Sequence, residues 1–223
     1  MESLVRHETM QHLLVNELLS RHQHGFMAGR SCTTQLLEVL DIWSRFLDEG
    51  DNADVVYLDF AKAFDTVPHS RMMYKLYSYG IRGKVWSWIE DYMCNRKQCV
   101  IVNGVHSSYV SVTSGVPQGS VLVPLLFLIY NNDLPDVVFN LDKLFADYTK
   151  LFARIRNLSD CQKLETDLFA LQSWSKVWLL QFNISKCKIL RLGCNPPAMT
   201  YSLEASDGST VVMEESKCER DLE

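Results

Sequence analysis

Residues 144–152 read Leu-Phe-Ala-Asp-Tyr-Thr-Lys-Leu-Phe (LFADYTKLF), with one acid, Asp147, set between two short apolar halves. Two strand-length pieces meeting at Asp147-Tyr148 predict a tight β-hairpin with a carboxylate at its tip. A carboxylate in buried surroundings costs free energy unless it is paired or coordinated. A second acid has the same setting: Asp59 closes the apolar run Val55-Val-Tyr-Leu-Asp-Phe60. Two such strands side by side would put both carboxylates on one rim. Hard cations such as Mg²⁺ take oxygen ligands, often one or two carboxylates plus substrate phosphates. A pair of such ions can activate the attacking oxygen and stabilise the leaving oxygen in phosphoryl transfer. For either acid alone, the alternative is a turn residue bonded to nearby backbone.

Working outward, residues 1–24 read as helical until Gly25-Phe-Met-Ala-Gly29 breaks the pattern. Leu36, Leu37, Val39, Leu40, Ile42, Trp43, Phe46 and Leu47 predict a broad apolar helix face, stopped by Gly50. Residues 54–60 read as a buried strand. Pro68 opens a helix, and a second helical stretch covers Lys84–Asn95. Asn103-Gly104 between two β-rich runs predicts a hairpin whose central residues both need positive φ. A helix broken near Pro124 is expected over 119–131. Ser159-Asp-Cys-Gln162 reads as a capping box for a long helix ending near Trp178. Lys188–Leu192 is a strand, and Asp207-Gly208 joins two further short ones. Helices interleaved with partly antiparallel strands imply an α+β, split βαβ layout, one sheet with helices on one face.

The bulk composition sets limits. The chain has 223 residues, 47% of them apolar, which suffices for one or two domains with a core. Seven cysteines, an odd number with no Cys-x-x-Cys pair, read as reduced thiols of an intracellular protein. The uncharged region Val110–Asn132 is cut by two prolines and two glycines, so no membrane span is expected. A net charge of -5 argues against a strongly basic nucleic-acid surface. His7-Glu8 with His12 misses the zinc-helix spacing by one residue, which puts the two imidazoles on different helix faces. His22 and His24 carry no stronger metal signal.

Ser114-Gly-Val-Pro-Gln-Gly-Ser120 is a shaped loop feeding a helix, of the kind that lets backbone N–H groups approach a phosphate. It stands in order with YLDFAKAFDTVPH (57–69), SGVPQGSVLVPLLFLIYNNDLP (114–135) and LFADYTKLF. Before them comes HGFMAGRSCTTQLL (24–37), and after them WSKVWLLQFNISKCKILRLG (174–193). These five ordered segments resemble the core motifs of reverse transcriptases from non-LTR (LINE-type) retrotransposons. The resemblance implies a right-hand polymerase palm with a ferredoxin-like split βαβ sheet. Residues 1–52 would be partial fingers and 53–223 palm, with the thumb absent. It implies an RNA-directed DNA polymerase, a nucleotidyltransferase working with two Mg²⁺ ions on an RNA template, a DNA primer and deoxynucleotides. Asp59 and Asp147 would be the catalytic metal ligands, with the Phe60 backbone beside them. Lys62 and Ala63 would lie along the triphosphate, and Phe64 would exclude a ribose 2′-hydroxyl. Gln118 would touch the incoming nucleotide, Arg30 the template or triphosphate, and Lys186 the leaving pyrophosphate.

The chain departs from that family pattern in ways that bear on activity. Tyr148 stands where a second acid follows the first, and a neutral phenol is a poor Mg²⁺ ligand. Val123 replaces a glycine and is expected to crowd a tight backbone. Met27 replaces a basic residue, and Asn131 takes an apolar slot. The family continues past Arg220–Glu223 into a primer grip and thumb. Together these departures predict an inactive or severely impaired polymerase. The alternatives are a non-catalytic nucleic-acid-binding module and an unselected element relic. Oligomeric state is left open.

Overall fold

The computed structural model describes residues 1–219, so the expectation attached to Arg220–Glu223 lies outside the described residues. The chain begins with α1 (Glu2–Val15), α2 (Cys32–Asp48) and β1 (Asn52–Asp59). There follow α3 (Ala63–Thr66), α4 (His69–Ser78), α5 (Gly83–Met93), β2 (Lys97–Gln98), β3 (Ile101–Val102), β4 (Val105–His106), β5 (Val110–Ser111) and α6 (Val123–Asn131). The last third runs β6 (Leu141–Phe145), β7 (Tyr148–Ile155), α7 (Leu158–Trp178), β8 (Lys188–Leu192), β9 (Ser202–Glu204), β10 (Thr210–Val212) and β11 (Glu214–Ser216). Two compact units divide it. One holds residues 1–19 and 62–130, the other residues 20–61 and the chain from 131 on.

The second unit is built on a five-stranded sheet in the order β11-β8-β1-β7-β6. β8, β1, β7 and β6 pair antiparallel in succession, and β11 joins β8 in parallel. The first four strands give the ferredoxin-like split order expected from the sequence. β1 is central and buried along nearly its whole length, which explains its unbroken apolar run. Val55 and Tyr57 on one face of β1 pack with Val39 and Trp43 of α2, and Trp43 meets Phe152 edge-on at 5.9 Å. Phe60, of opposite parity, lies 6.2 Å from Trp174 of α7. Helices therefore cover both faces rather than one. α7 lies on the expected side, and α2 adds cover on the other.

In the first unit, Asn103 and Gly104 both have positive φ (50° and 84°), the backbone of the predicted two-residue hairpin turn. α6 is apolar all round and correspondingly buried. It is not broken at Pro124: the helix starts at Val123 and the proline sits in its first turn, where a missing N–H costs nothing. Val123 opens α6, is buried, and is not among the described residues with positive φ.

Two further boundaries differ from the sequence reading. α1 stops at Val15 instead of reaching residue 24, because the segment from His22 to His24 pairs with the edge of β6: Leu144 N–H donates to His22 O at 2.9 Å and His24 N–H to Leu144 O at 2.8 Å. α7 is capped by Asn157, whose side chain accepts from the N–H groups of Ser159 and Asp160, so no capping box forms at Ser159.

Candidate active site

The hairpin of residues 144–152 forms, one residue earlier than its sequence suggests. Ala146 and Asp147 are the turn, and Tyr148 already belongs to β7, opposite Phe145. β7 also pairs with β1, and in that register Tyr148 lies directly across from Asp59. Facing residues of an antiparallel pair project to the same side of a sheet. Asp59, Asp147 and Tyr148 therefore gather at one end of two adjacent strands, the rim the sequence anticipated.

Lys186 completes this cluster. Ala61 N–H donates to Gln181 O at 2.8 Å and Asn183 N–H to Asp59 O at 2.7 Å, which lays the chain after α7 along the end of β1. Phe182 stacks on Phe60 at 4.6 Å between ring centres and fixes that overlap. A short 3-10 turn at Ile184–Lys186 follows, and the Lys186 ammonium reaches Asp59 Oδ2 at 2.8 Å. The contact is an ion pair rather than an aligned hydrogen bond. Lys186 is 61% exposed while Asp59 is buried, so the lysine is free to leave and the carboxylate is not.

Electrostatics follow from burial. Desolvation raises the Asp147 carboxyl above its ordinary pKa, and the negative charge of Asp59 adds to the rise. Burial, then Asp59, raises the Tyr148 phenol, so it stays neutral at pH 7 and brings no charge to the rim. Asp59 holds the Lys186 ammonium above its usual range, keeping it cationic. The Cys187 thiol next in line is pushed up to about 11 by burial and is inert as a ligand at neutral pH.

Two desolvated acids with a lysine ammonium on one of them fit a hard cation: the ammonium occupies a position a metal ion would take on Asp59. Asp59 and Asp147 supply the oxygen donors, leaving substrate phosphates to complete the shell. Among the described residues no cluster of three His, Cys, Asp or Glu side chains could enclose a metal unaided. Tyr148, across from Asp59, supplies no carboxylate to the pair.

The remaining expected site residues have separate surroundings. Arg30 donates through one guanidinium nitrogen to Arg21 O and Gln23 O, both at 2.6 Å, and so braces its own loop. In the other unit, Lys62 is exposed with a left-handed backbone at the start of α3, and Ala63 is buried behind it. Phe64 packs on Phe127 at 4.6 Å, and its carbonyl accepts from Val116 N–H at 2.8 Å, anchoring the Pro-Gln-Gly loop. Gln118 is exposed and donates to Asp65 Oδ1 at 2.9 Å. These two residues, with Arg96 and Lys97, line a pocket of about 550 Å³.

Three residues that the sequence did not single out as functional bear on the acid tip. Gln23, Gly25 and Asn131 all touch the Ala146 backbone. Gly25 carried a sequence signal as a helix breaker and Asn131 as a polar residue in an apolar slot, whereas Gln23 carried none.

The sequence profile described as "Reverse transcriptase (RNA-dependent DNA polymerase)" matches residues 3–214. The chain belongs to the reverse transcriptase family. It is 30% identical over 197 residues to the RNA-directed DNA polymerase from mobile element jockey of Drosophila funebris, covering 84% of this chain and 21% of that one. It is 28% identical over 197 residues to the probable RNA-directed DNA polymerase from transposon BS of Drosophila melanogaster, covering 83% and 21%. This reverse transcriptase domain is of the non-LTR, LINE type its motifs resemble, and it spans about a fifth of the length of those relatives. Among solved structures, telomerase from Candida albicans in complex with a fragment of telomeric RNA superimposes with a TM-score of 0.66 at 12% identity, over 92% of this chain and 36% of that one. Apo telomerase from Candida tropicalis, truncated of its C-terminal domain, gives 0.63 at 12% identity, over 89% and 42%. The likeness shows the palm-type fold. No described helix is long and apolar enough to cross a membrane.

Proposed function

We propose that this chain is the fingers-and-palm portion of an RNA-directed DNA polymerase, residues 1–52 being partial fingers and 53–223 palm, and that it is impaired as it stands. The observation that carries the reading is the meeting of Asp59, Asp147 and Lys186 at the ends of β1 and β7, with a neutral Tyr148 opposite Asp59. The ancestral reaction joins a DNA 3′-hydroxyl to the α-phosphorus of a deoxynucleotide as the bond to pyrophosphate breaks. Magnesium ions bound at the two acids would lower the pKa of the attacking hydroxyl and neutralise the leaving oxygens.

The chain's own residues divide the remaining work. Asp59 and Asp147 hold negative charge on a rigid strand end and a strained turn. Lys186, exposed and cationic, moves from Asp59 to the departing pyrophosphate. Phe60 locks the strand end against Phe182 so that its backbone can join the metal shell. Phe64, held by Phe127, closes the space beside a sugar 2′-position, with Lys62 and Ala63 along the triphosphate. Gln118 orients the base, and Arg30 shapes the fingers loop near the template. Tyr148 removes one anionic ligand, and losing such a ligand lowers the rate by orders of magnitude.

A second reading, a nucleic-acid-binding module without chemistry, is favoured by one observation. From Thr66 to Asn132 six lysines and arginines stand against two acids, although the whole chain is at -5. Such a module binds RNA or an RNA–DNA hybrid with an affinity that falls steeply with salt.

The test is Mg²⁺-dependent primer extension on an RNA template by the unaltered chain, Tyr148→Asp, and Tyr148→Asp with Asp59→Ala. Extension by the single variant alone supports the reading. Equal extension by the unaltered chain overturns the impairment. No extension by a folded Tyr148→Asp moves the binding module ahead.

A further inference from the structure

The turn that carries Asp147 holds a residue in an unfavourable backbone. Ala146 has φ +56°, the left-handed region that a Cβ disfavours. Such strain persists only where the surroundings over-determine it. Here both backbone polar groups of Ala146 are taken by side-chain amides from far along the chain. Its N–H donates to Gln23 Oε1 at 3.0 Å, and its carbonyl accepts from Asn131 Nδ2 at 2.7 Å. Gln23 is 4% exposed and Asn131 fully buried, so neither bond is diluted by water.

Gln23 Oε1 also accepts from Gly25 N–H at 2.8 Å, so one amide oxygen bridges two backbone N–H groups from separate segments. Gly25 must be a glycine for this: a Cβ there would stand 2.3 Å from Ala146 N. The cradle fixes the peptide that precedes Asp147, and with it the direction in which Asp147 leaves the backbone. Neutral amides suit the place. A carboxylate or ammonium at either position would add a charge next to the pair of acids and disturb cation binding.

We propose that Gln23 and Asn131 are positioning residues for Asp147, holding its carboxylate in the orientation that binds a hard cation jointly with Asp59. The proposal rests on reading Asp147 as a cation ligand. Hydrogen exchange can be followed separately from cation binding, so a failure of that reading is recognisable.

The experiment uses the full chain and three variants. Gln23→Met keeps the shape and removes the acceptor, Gln23→Glu keeps the acceptor, and Asn131→Leu removes the donor on the other side. Amide exchange at Ala146 and Asp147 is read by NMR, and Tb³⁺ binding by luminescence, with Asp59→Ala as the blank. Expected in Gln23→Met is about tenfold faster exchange at Ala146, the loss of one buried hydrogen bond. Exchange along α7 stays at the parental rate, which a general loss of stability would not leave untouched. Gln23→Glu restores slow exchange. Gln23→Met and Asn131→Leu each weaken Tb³⁺ about tenfold. Parental exchange at Ala146 in Gln23→Met overturns the cradle, and parental Tb³⁺ affinity in both apolar variants overturns its positioning role. If the unaltered chain binds Tb³⁺ no better than the Asp59→Ala blank, the cation-site reading falls and the positioning role falls with it, while the exchange data still decide whether the cradle holds the turn.

Discussion

Replacing Gly25 by alanine is expected to destabilise the chain more than its small size suggests. Gly25 has no positive φ, so alanine meets no intrinsic backbone penalty there. The obstacle is space: the new Cβ would lie 2.3 Å from Ala146 N and 3.0 Å from both Ala146 Cα and Phe145 C, all of them backbone. Ordinary contact starts near 3.4 Å, so the two segments must part by about 1 Å, since backbone cannot swing aside as a side chain can. Three hydrogen bonds span that seam: His24 N–H to Leu144 O, Leu144 N–H to His22 O, and Ala146 N–H to Gln23 Oε1, at 2.8, 2.9 and 3.0 Å. Lengthening each by about 1 Å takes it out of hydrogen-bond range. At ~1 kcal/mol each the loss is about 3 kcal/mol. For a chain of this size that corresponds to a fall in Tm of about 6–12 °C. Gly29→Ala is the control, because Gly29 has φ +75° and open space around it. Only backbone strain of ~1 kcal/mol applies there, or about 2–4 °C. Thermal unfolding followed by circular dichroism compares the two. If Gly25→Ala is no less stable than Gly29→Ala, the packed seam that anchors the β6–β7 hairpin does not exist.

Three more outcomes are expected. Asp147→Asn raises Tm at pH 7 and leaves it unchanged near pH 3. Because the folded pKa of Asp147 is raised, its contribution to stability is full below the unfolded carboxylate value and is lost as pH rises through the folded one, so only the ionised form is penalised. A gain that is as large at pH 3 as at pH 7 would contradict this. Lys186→Ala frees Asp59 and raises Mn²⁺ affinity in the absence of nucleotide, by about threefold at most because the lysine is exposed. In the Tyr148→Asp background the same change lowers primer extension, and an unchanged rate would remove Lys186 from the reaction. Asn157→Ala costs ~1 kcal/mol through the lost α7 cap, whereas Ser159→Ala is near neutral; chemical denaturation of the pair distinguishes the caps.

The parts of this structure that were legible in the sequence are those governed by local pattern. The apolar run of β1, the broad face of α2 and the Asn103-Gly104 turn each follow from a short window and appear as expected. So does the pair of acids, because a carboxylate closing a buried strand is visible one strand at a time. The misplaced boundaries have tertiary causes. Residues 16–24 keep helical spacing but yield to pairing with the edge of β6. The turn moves to Ala146-Asp147 because Gln23 and Asn131 support a positive φ that alanine alone would avoid. α2 on the second sheet face depends on Trp43 finding Phe152, more than a hundred residues later. Gln23 looked like an ordinary polar residue beside two histidines, since its partner lies 123 positions away. Arg30 braces its own loop through Arg21 O and Gln23 O, and no local signal marks those bonds.

The same geometry sets a cost on restoring the missing acid. Tyr148 lies directly across β1 from Asp59, and the two side chains share a face of the sheet. An aspartate there would put a like charge opposite Asp59 and next to an Asp147 that burial already strains. Directly opposed like charges are destabilising, by ~1 kcal/mol, and the apolar ring of Tyr148 is lost besides. Tyr148→Asp is therefore expected to unfold about 2–4 °C below the parent at pH 7 in chelator. A divalent cation should reverse this, because it binds the folded carboxylates and not the unfolded chain. At ten times its Kd the gain is ~1.4 kcal/mol, enough to bring the variant back to the parent, whose own Tm should respond far less. Scanning Tm against Mg²⁺ for both proteins measures the effect without any substrate. If Tyr148→Asp is as stable as the parent in chelator and indifferent to Mg²⁺, then residue 148 does not face Asp59, and the tyrosine is not what separates this chain from a cation-binding palm. If the cost and its reversal both appear, the tyrosine stabilises the resting fold at the expense of the ligand set, and one substitution adds a third acid to it.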